Sequence, residues 1–190
     1  MSPINEEHII QRVLNGEDDA YAHLINQHKE MIMALCSKMV QSPIDAEELA
    51  QDTFIKAYRQ LRSFKGKSKF STWLYRIAYF TCINHLRKNK QKSVEINEWN
   101  HPATGNNDTM DSLTSSDQKL FIQLALNQLK PQERALITLF YLEEQSIAEI
   151  AQITGLSKSN TKVKIHRSRK KLRRFLEENL NHETELLRYD

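Results

Sequence analysis

The segment from Thr53 to Val94 combines positive charge with aromatic rings and contains no Asp or Glu, although the chain has 24 acidic residues in 190. Lysine and arginine attract a phosphate backbone, and accessible rings stack on unpaired bases. These residue types together predict a surface for nucleic acid whose strands have separated. The aromatic residues of the segment are Phe54, Tyr58, Phe64, Phe70, Trp73, Tyr75, Tyr79 and Phe80.

A second run without acids, from Lys158 to Leu176, completes the pattern of a helix-turn-helix motif. Such a motif needs a small residue where its helices cross, here Ala151, and a residue that tolerates positive φ at the turn, here Gly155. Ser146 and Glu149 have the spacing of a capping box that starts the first helix. A charge run alone is usually a solvated face, but this combination predicts binding to duplex DNA.

The second helix of the motif divides into two stripes on a helical wheel. Residues early on its outward stripe are expected to contact base edges, and later ones phosphates. His166, at the edge, has no partner at metal-ligand spacing, so no metal site is expected. The packing stripe is predicted to be Thr161, Ile165, Ser168, Leu172 and Leu176, and the outward stripe Ser159, Val163, Arg167, Lys170 and Arg174.

A helix that starts at Ser71 or Thr72 shows a similar division. Its apolar stripe consists of Leu74, Ala78, Cys82 and Leu86, with Tyr75 beside it. Rings on the opposite stripe are unusual for a helix that faces duplex DNA, but they suit one that melts it, because each base–ring stack contributes about 1–3 kcal/mol. The alternative that these rings are simply core stays open. The outward stripe contains Trp73, Ile77, Phe80, Asn84 and Arg87, flanked by Arg76.

Acidic and apolar residues alternate on the helix predicted from Asp45 to Leu61, where Asp45 and Glu48 resemble a capping box. An exposed face of this mixed type suggests a protein partner. The residues expected on that face are Asp45, Glu47, Glu48, Asp52, Leu49, Phe54 and Ile55.

Composition favours an all-α protein with short connections, since the chain has only four glycines and four prolines, and its length fits either one domain or two small helical domains. Cys36 and Cys82 lack CxxC spacing and are expected to be buried free thiols in a reducing cytoplasm. No apolar run approaches the ~18 residues of a membrane span. No catalytic, metal or phosphate-loop motif is found, so we expect neither a cofactor nor an enzyme.

The order of elements predicts two domains separated by a polar, acidic linker that is rich in Asn, Ser, Thr and Asp. Some 26 extended residues reach on the order of 85 Å, which exceeds the roughly 70 Å of two duplex turns. The two surfaces can therefore bind two sites on one DNA. Helices are predicted at about 6–14, 19–40, 45–61, 71–89, 117–129, 131–142, 146–154 and 158–178, and the predicted divisions are 1–90, 91–117 (linker), 118–180 and 181–190 (tail).

Taken together, the chain resembles bacterial sigma factors of the extracytoplasmic-function (ECF) class. The resemblance is carried by DAEELAQDTFIKAYRQLRSFKGKSKFSTWLYRIAYFTCINHLRKNK and by LKPQERALITLFYLEEQSIAEIAQITGLSKSNTKVKIHRSRKKLRRFL. It implies that core RNA polymerase and promoter DNA are partners, that the minus-10 element is bound melted and the minus-35 element as duplex, and that an anti-sigma factor holds the chain inactive. It also implies that the linker follows the RNA exit path.

The resemblance assigns roles by position. For polymerase binding it implies Asp45, Glu48, Leu49, Gln51, Asp52 and Phe54. For the minus-10 element it implies Phe64, Lys67, Ser68, Lys69, Phe70, Trp73, Arg76, Phe80, Asn84 and Arg87. For the minus-35 element it implies Lys158, Ser159, Asn160, Lys162, Val163, Lys164, His166, Arg167 and Lys170, with Arg169 near the backbone.

Two positions depart from the family pattern. Phe80 stands where Asn is usual, which bears on the minus-10 preference, and Thr161 stands where Val is usual, which is expected to weaken slightly the packing of the second helix.

Two other classes of function compete with a sigma factor. A stand-alone helix-turn-helix regulator needs a sensing or dimerising N-terminal domain, whereas this one offers cations and rings. A nucleic-acid enzyme needs clustered carboxylates near its basic surface, which the acid-free segment lacks.

Overall fold

The computed structural model describes residues 6–40, 42–96, 122 and 124–186, and in these residues it contains helices and no strand. The N-terminal domain consists of α1 (Glu6–Leu14), α2 (Tyr21–Met39), α3 (Pro43–Gln60) and α4 (Phe70–Ile96). Short 3-10 turns at Asp18–Ala20 and Leu61–Ser63 connect them. The all-α prediction is confirmed.

The starts of α3 and α4 differ from the prediction. The backbone N–H of Asp45 donates to Ser42 Oγ at 3.2 Å, so Ser42 is the N-cap, and Pro43 occupies the first turn, where its missing N–H costs nothing. The predicted capping box at Asp45 is therefore wrong. The helix α4 begins at Phe70, one residue before Ser71, and continues to Ile96. Residues 91–96, which were predicted as linker, therefore belong to α4.

The core of the N-terminal domain lies where α2, α3 and α4 pack together. The predicted apolar stripe of α4 is confirmed at Leu74, Ala78 and Cys82, which are fully buried, whereas Leu86 is half-buried. Cys36 of α2 meets Cys82 with the two Sγ atoms 3.7 Å apart, and both are free thiols as predicted. Their mutual hydrogen bond and their burial raise the pKa of the Cys36 thiol.

The C-terminal domain contains a short helical segment, α5, at residues 124–127, followed by α6 (Pro131–Ile137), α7 (Ile147–Thr154) and α8 (Lys158–Leu186). Pro131 starts α6, as predicted. The last five residues of the predicted helix to Leu142 form a π-helical turn, Thr138–Leu142. Most of the predicted linker, and the start of the helix expected at 117–129, lie outside the described residues.

The two domains pack against each other. The helix α7 lies across α4, and α6 lies against α2. Buried side chains of both domains form one continuous apolar cluster, to which α2 contributes Leu35 and Met39 and α6 contributes Leu136 and Ile137.

Candidate nucleic-acid and polymerase interface

Three rings form a cluster where the loop after α3 meets the start of α4. The ring centroids of Phe64, Phe70 and Trp73 lie 5.4–5.5 Å from one another. Phe70 is only 2% exposed, and its ring packs against His28 of α2. Phe70 is therefore the buried base of the cluster, whereas Phe64 and Trp73 reach the surface and are half-buried.

The outward face of α4 forms a cavity of about 270 Å³ in front of this cluster. Arg76 lies over the Phe80 ring, with its Cζ 5.0 Å from the centroid, and Phe80 is 37% exposed. Cations and rings thus share one concave surface, which is the chemistry needed to hold an unstacked base beside its phosphate. The cavity is lined by Lys56, Gln60, Trp73, Arg76, Ile77, Phe80, Thr81 and Asn84.

The predicted minus-10 residues of the loop before α4 and the cation Arg87 do not line this cavity. Lys67, Lys69 and Arg87 are exposed, and Ser68 is half-buried. Gly66 has φ +66°, so the loop adopts a left-handed conformation there that favours glycine. Lys56, Gln60 and Thr81 were not among the predicted site residues, because they adjoin the cavity only once α3 and α4 are packed.

A second depression, of about 560 Å³, runs between α2 and α3. Its apolar lining is Ile25, Met33, Ala50 and Phe54, and its charged rim is Lys29, Glu30 and Glu47, with Gln51 beside them. The contribution of α2 could not be predicted from sequence, since no local pattern pairs the two helices.

The expected exposed face of α3 needs correction. Leu49 is 3% exposed and Phe54 8% exposed, so Leu49 belongs to the core and Phe54 only edges the groove. Asp45 and Asp52 are half-buried, whereas Glu48 and Gln51 are exposed. The periodicity of α3 did place apolar residues together, but on the side facing α2 and α4.

The helix-turn-helix forms as predicted. Ser146 Oγ accepts from the Glu149 N–H at 3.2 Å, and the Glu149 carboxylate accepts from the Ser146 N–H at 2.9 Å. Gly155 has φ +75°, and its N–H donates to the Ala151 carbonyl at 2.9 Å, which ends α7.

The packing stripe of α8 is buried at Thr161, Ile165 and Ser168 and half-buried at Leu172 and Leu176. The Thr161 hydroxyl donates to the Ser157 carbonyl at 2.9 Å, so the buried hydroxyl that stands in the place of the family's Val has a hydrogen-bond acceptor. This bond offsets the cost of burying a hydroxyl there.

The predicted outward residues of α8 face solvent, with Lys164 half-buried as the exception. Val163 is 43% exposed, which makes an apolar contact with a base methyl group geometrically possible. Further along, Arg173 and Arg174 pair with Glu177 and Glu178 at 2.7 Å. The exposed cationic face therefore extends from Lys158 to Lys170, before these ion pairs begin.

Within the described residues, no group of three or more His, Cys, Asp and Glu side chains could hold a metal ion. None of the helices in the described part of the chain combines the length and the apolar character needed to span a bilayer.

Both domains of the chain match known protein families. Residues 24–92 match the family described as Sigma-70 region 2, and residues 122–172 match Sigma-70, region 4. The chain is 32% identical over 176 residues to the ECF RNA polymerase sigma factor SigW of Bacillus subtilis (strain 168), a match that covers 88% of this chain and 94% of the relative. It is 33% identical to the RNA polymerase sigma factor YlaC of the same organism, covering 82% and 91%.

A solved structure has the same fold. It is the sigma factor RpoE from Bartonella quintana in complex with the anti-sigma factor NepR, with a TM-score of 0.69, 21% identity, and coverage of 83% of this chain and 96% of that one. The alternative of a stand-alone regulator is not favoured, because the sigma-factor relatives match both domains. The chain belongs to the ECF class of RNA polymerase sigma factors, which direct core polymerase to promoters and initiate transcription there.

Proposed function

We propose that the N-terminal domain binds both core polymerase and the melted minus-10 element, while the C-terminal domain reads the minus-35 element as duplex. One observation carries this division. The outward face of α4 is a concave surface that combines cations with rings, whereas the outward face of α8 from Lys158 to Lys170 carries cations and polar groups and contains no Phe, Tyr or Trp.

In the proposed minus-10 site, Trp73 and Phe80 stack on unpaired bases, and Arg76 and Asn84 contact their edges or the adjoining phosphates. Phe64 and the loop of Lys67, Ser68 and Lys69 enclose a base that has left the duplex, and Arg87 attracts the backbone. Phe70, at 2% exposure, supports Phe64 and Trp73 from below and contacts no base. Stacking of about 1–3 kcal/mol per base offsets the few kcal/mol needed to unstack a step.

The groove between α2 and α3 is proposed as the polymerase docking surface. An apolar floor with a charged rim fits an amphipathic helix of a partner protein. Gln51 lies on the polar rim of this groove, and Phe54 edges its floor. The proposed surface extends along α3 to Glu48, Asp45 and Asp52, of which Asp45 pairs with His85 and Asp52 with Lys56. Leu49 holds α3 in position from the core.

A substitution at the rim tests this docking. Gln51→Arg introduces a bulky cation at the groove, and we expect reduced binding to core polymerase with unchanged thermal stability. The matched control is Gln11→Arg, at an exposed position of α1. Equal affinities of both variants for core polymerase would remove the groove from the interface.

In the proposed minus-35 site, α8 enters the major groove with its N-terminal residues foremost. Lys162, Val163, His166 and Arg167 face base edges, and Lys158, Ser159, Asn160, Lys164 and Lys170 lie nearer the phosphates. Arg is the commonest specific reader of guanine, through two parallel hydrogen bonds.

Three finer statements belong to the same proposal. The chain supplies specificity and strand opening but no catalysis. It acts in the cytoplasm, where polymerase and chromosome are found. An anti-sigma factor restrains it, and the solved neighbour with the same fold, which is described as such a complex, motivates this partner.

Reconstituted transcription tests the proposal as a whole. The purified chain is combined with core polymerase on fragments of the source genome, and transcript start sites are sequenced. We expect starts downstream of a common two-part sequence, with permanganate-reactive thymines at its minus-10 half. Tight duplex binding without any promoter-dependent transcript would contradict the assignment.

A further inference from the structure

A third cavity, of about 270 Å³, lies where the C-terminal end of α3 and the turn after it face the end of α1. Its volume equals that of the α4 cavity in which we place an unstacked base. None of its residues lines the α4 cavity or the groove between α2 and α3. The apolar floor consists of Val13, Leu14 and Leu61, and the exposed rim consists of Gly16, Asp18, Tyr58, Arg59 and Arg62.

The rim combines a fixed aromatic ring with two cations. The Tyr58 ring is 40% exposed and makes an edge contact with the Tyr21 ring, with the centroids 5.1 Å apart. Its hydroxyl donates to Asp18 Oδ1 at 2.6 Å, so the ring is held on two sides. Arg59 and Arg62 beside it are exposed. Such a ring can stack on an unpaired base, while the neighbouring cations attract its phosphates.

The cavity adjoins the loop that we assign to the minus-10 element. Arg62 lies in the turn Leu61–Ser63, and Phe64 follows two residues later, which span at most about 7 Å. Lys65 Nζ donates to the Arg62 carbonyl at 3.2 Å, so the loop folds back on this turn. A stacked strand advances about 3.4 Å per nucleotide. A strand held at Phe64 therefore reaches the cavity within a few nucleotides.

The carboxylate of Asp18 restricts which base fits this cavity. An ionised carboxylate only accepts hydrogen bonds, and its two oxygens leave room for a donor besides the Tyr58 hydroxyl. Adenine, cytosine and guanine carry an exocyclic amino donor, whereas thymine presents carbonyl acceptors that a carboxylate repels. The neighbouring acid Glu17 is paired with Arg12 at 2.8 Å, and Arg59 and Arg62 offset the charge of Asp18.

We propose that this cavity binds one unpaired nucleotide downstream of the minus-10 element, and that Asp18 selects a base with an exocyclic amino group over thymine. The proposal rests on the minus-10 binding proposed above. In that arrangement the DNA between the minus-35 and minus-10 elements is still paired, and strand opening extends from the minus-10 element to the start site. Unpaired nucleotides outside the element are therefore found only on its downstream side.

The lifetime of the open complex tests this selection. The chain is bound to core polymerase on one promoter identified by transcript sequencing, with each of the four bases placed in turn at each position between the minus-10 element and the start site. Decay is followed after addition of heparin. We expect one position at which adenine gives a lifetime on the order of tenfold longer than thymine. Both bases form the same pair with their complement, so duplex stability does not explain the difference.

Two variants locate this preference in the cavity. Asp18→Asn still accepts from Tyr58 but adds a donor that suits thymine, so the ratio of adenine to thymine lifetimes should fall to about one. The matched control is Asp19→Asn, which removes an equal charge from an exposed neighbour that does not line the cavity, and it should keep the wild-type ratio. Arg62→Ala should shorten all lifetimes alike and keep the ratio, because a phosphate contact is blind to the base.

Three results would overturn the proposal. Wild-type lifetimes that ignore every downstream base would remove the cavity from DNA binding. A ratio that survives in Asp18→Asn, or one that Asp19→Asn abolishes equally, would show that Asp18 is not the selecting group. Permanganate reactivity of the minus-10 thymines is measured on the same templates. Normal reactivity with lifetimes that ignore the downstream base would reject this cavity alone and leave the minus-10 site standing.

Discussion

The outward faces of α4 and α8 both carry arginine and lysine, but they are supported in different ways. At the start of the α4 face lies a ring cluster, in which the buried Phe70 holds Phe64 and Trp73. Behind the α8 face lie Thr161 and Ser168, small polar residues that are completely buried. Aromatic rings thus support the start of the α4 face, whereas small polar side chains lie behind the α8 face.

This difference fits the binding that we propose for each surface. A melted strand must be held by flat apolar faces, and rings that stack on bases need a rigid apolar support. A duplex already has its bases stacked, so a reading helix needs only charge, hydrogen-bond donors and a shape that fits the major groove. Small side chains in the crossing region let α8 pack closely while its whole outer face stays available.

Loss of the Trp73 ring is expected to have the largest effect. Trp73→Ala removes one base stack and part of the ring cluster. The open complex should therefore be destabilised by about 1–3 kcal/mol, which lowers the equilibrium constant for promoter opening roughly 5- to 150-fold. Closed-complex formation, measured by mobility shift in the cold, should change much less than permanganate reactivity of the minus-10 thymines. Trp73→Phe, which retains a ring, should recover most of the opening.

Because Trp73 also packs on Phe64 and Phe70, thermal unfolding of both Trp73 variants must accompany these measurements. Equal losses in closed binding and opening would show that Trp73 is only part of the core, and the contrast between the two surfaces would then rest on Phe80 alone.

The second prediction concerns α8 and separates base reading from phosphate attraction. Arg167→Ala should relax the preference at one minus-35 base pair by about 1–3 kcal/mol. Lys170→Ala should weaken binding to all minus-35 sequences alike and reduce the slope of log affinity against log salt concentration by about 1. Binding to a library of minus-35 variants at several salt concentrations measures both effects, and an unchanged sequence preference in Arg167→Ala would remove that residue from the readout.

Sequence patterns predicted the elements whose signals are local. The Ser146–Glu149 capping box, Gly155 at positive φ and the stripe of Thr161, Ile165 and Ser168 depend only on neighbouring residues, and all are confirmed. The start of α3 was misjudged because Ser42, Asp45 and Glu48 offer overlapping capping signals, and the proline at position 43 decides between them.

Features that depend on packing between distant segments were not predictable in the same way. Leu49 and Phe54 lie near acids in sequence, yet they face α2, because α3 turns its apolar side toward the core. The groove between α2 and α3, and the hydrogen bond from Arg76 to the Gln152 carbonyl, join residues that are far apart along the chain. Such contacts depend on relative helix positions that no local pattern specifies.

The polar support of α8 gives a third, smaller prediction. Thr161→Val introduces the family's usual residue. It removes the hydrogen bond to Ser157, which costs about 0.5–1.5 kcal/mol of stability. It also buries an additional apolar carbon, which contributes about 0.8 kcal/mol. The two terms nearly cancel, so the free energy of unfolding in urea should change by less than about 1 kcal/mol. A larger loss would mean that the buried hydroxyl is essential to the position of α8.

The smallest expected effect lies where the two surfaces meet. Hydrogen bonds from the Lys69 ammonium and then from the Ser146 hydroxyl and N–H lower the pKa of the Glu149 carboxyl from 4.5 to about 2. A lowered pKa means that this carboxylate stabilises the fold fully above pH 4.5 and loses its contribution as the pH falls from about 4.5 toward 2. The stabilisation is therefore complete at neutral pH.

Glu149→Gln removes the charge, while its amide oxygen can still accept from Ser146. The difference in free energy of unfolding between wild type and Glu149→Gln should be constant from pH 7 to about pH 5 and shrink between about pH 4.5 and pH 3. Glu144→Gln, which removes one exposed acid from the preceding turn, is the matched control and should show no such trend. If the Glu149→Gln difference persisted undiminished at pH 3, the substitution would act through the cap of α7 and not through the ion pair that joins the two domains.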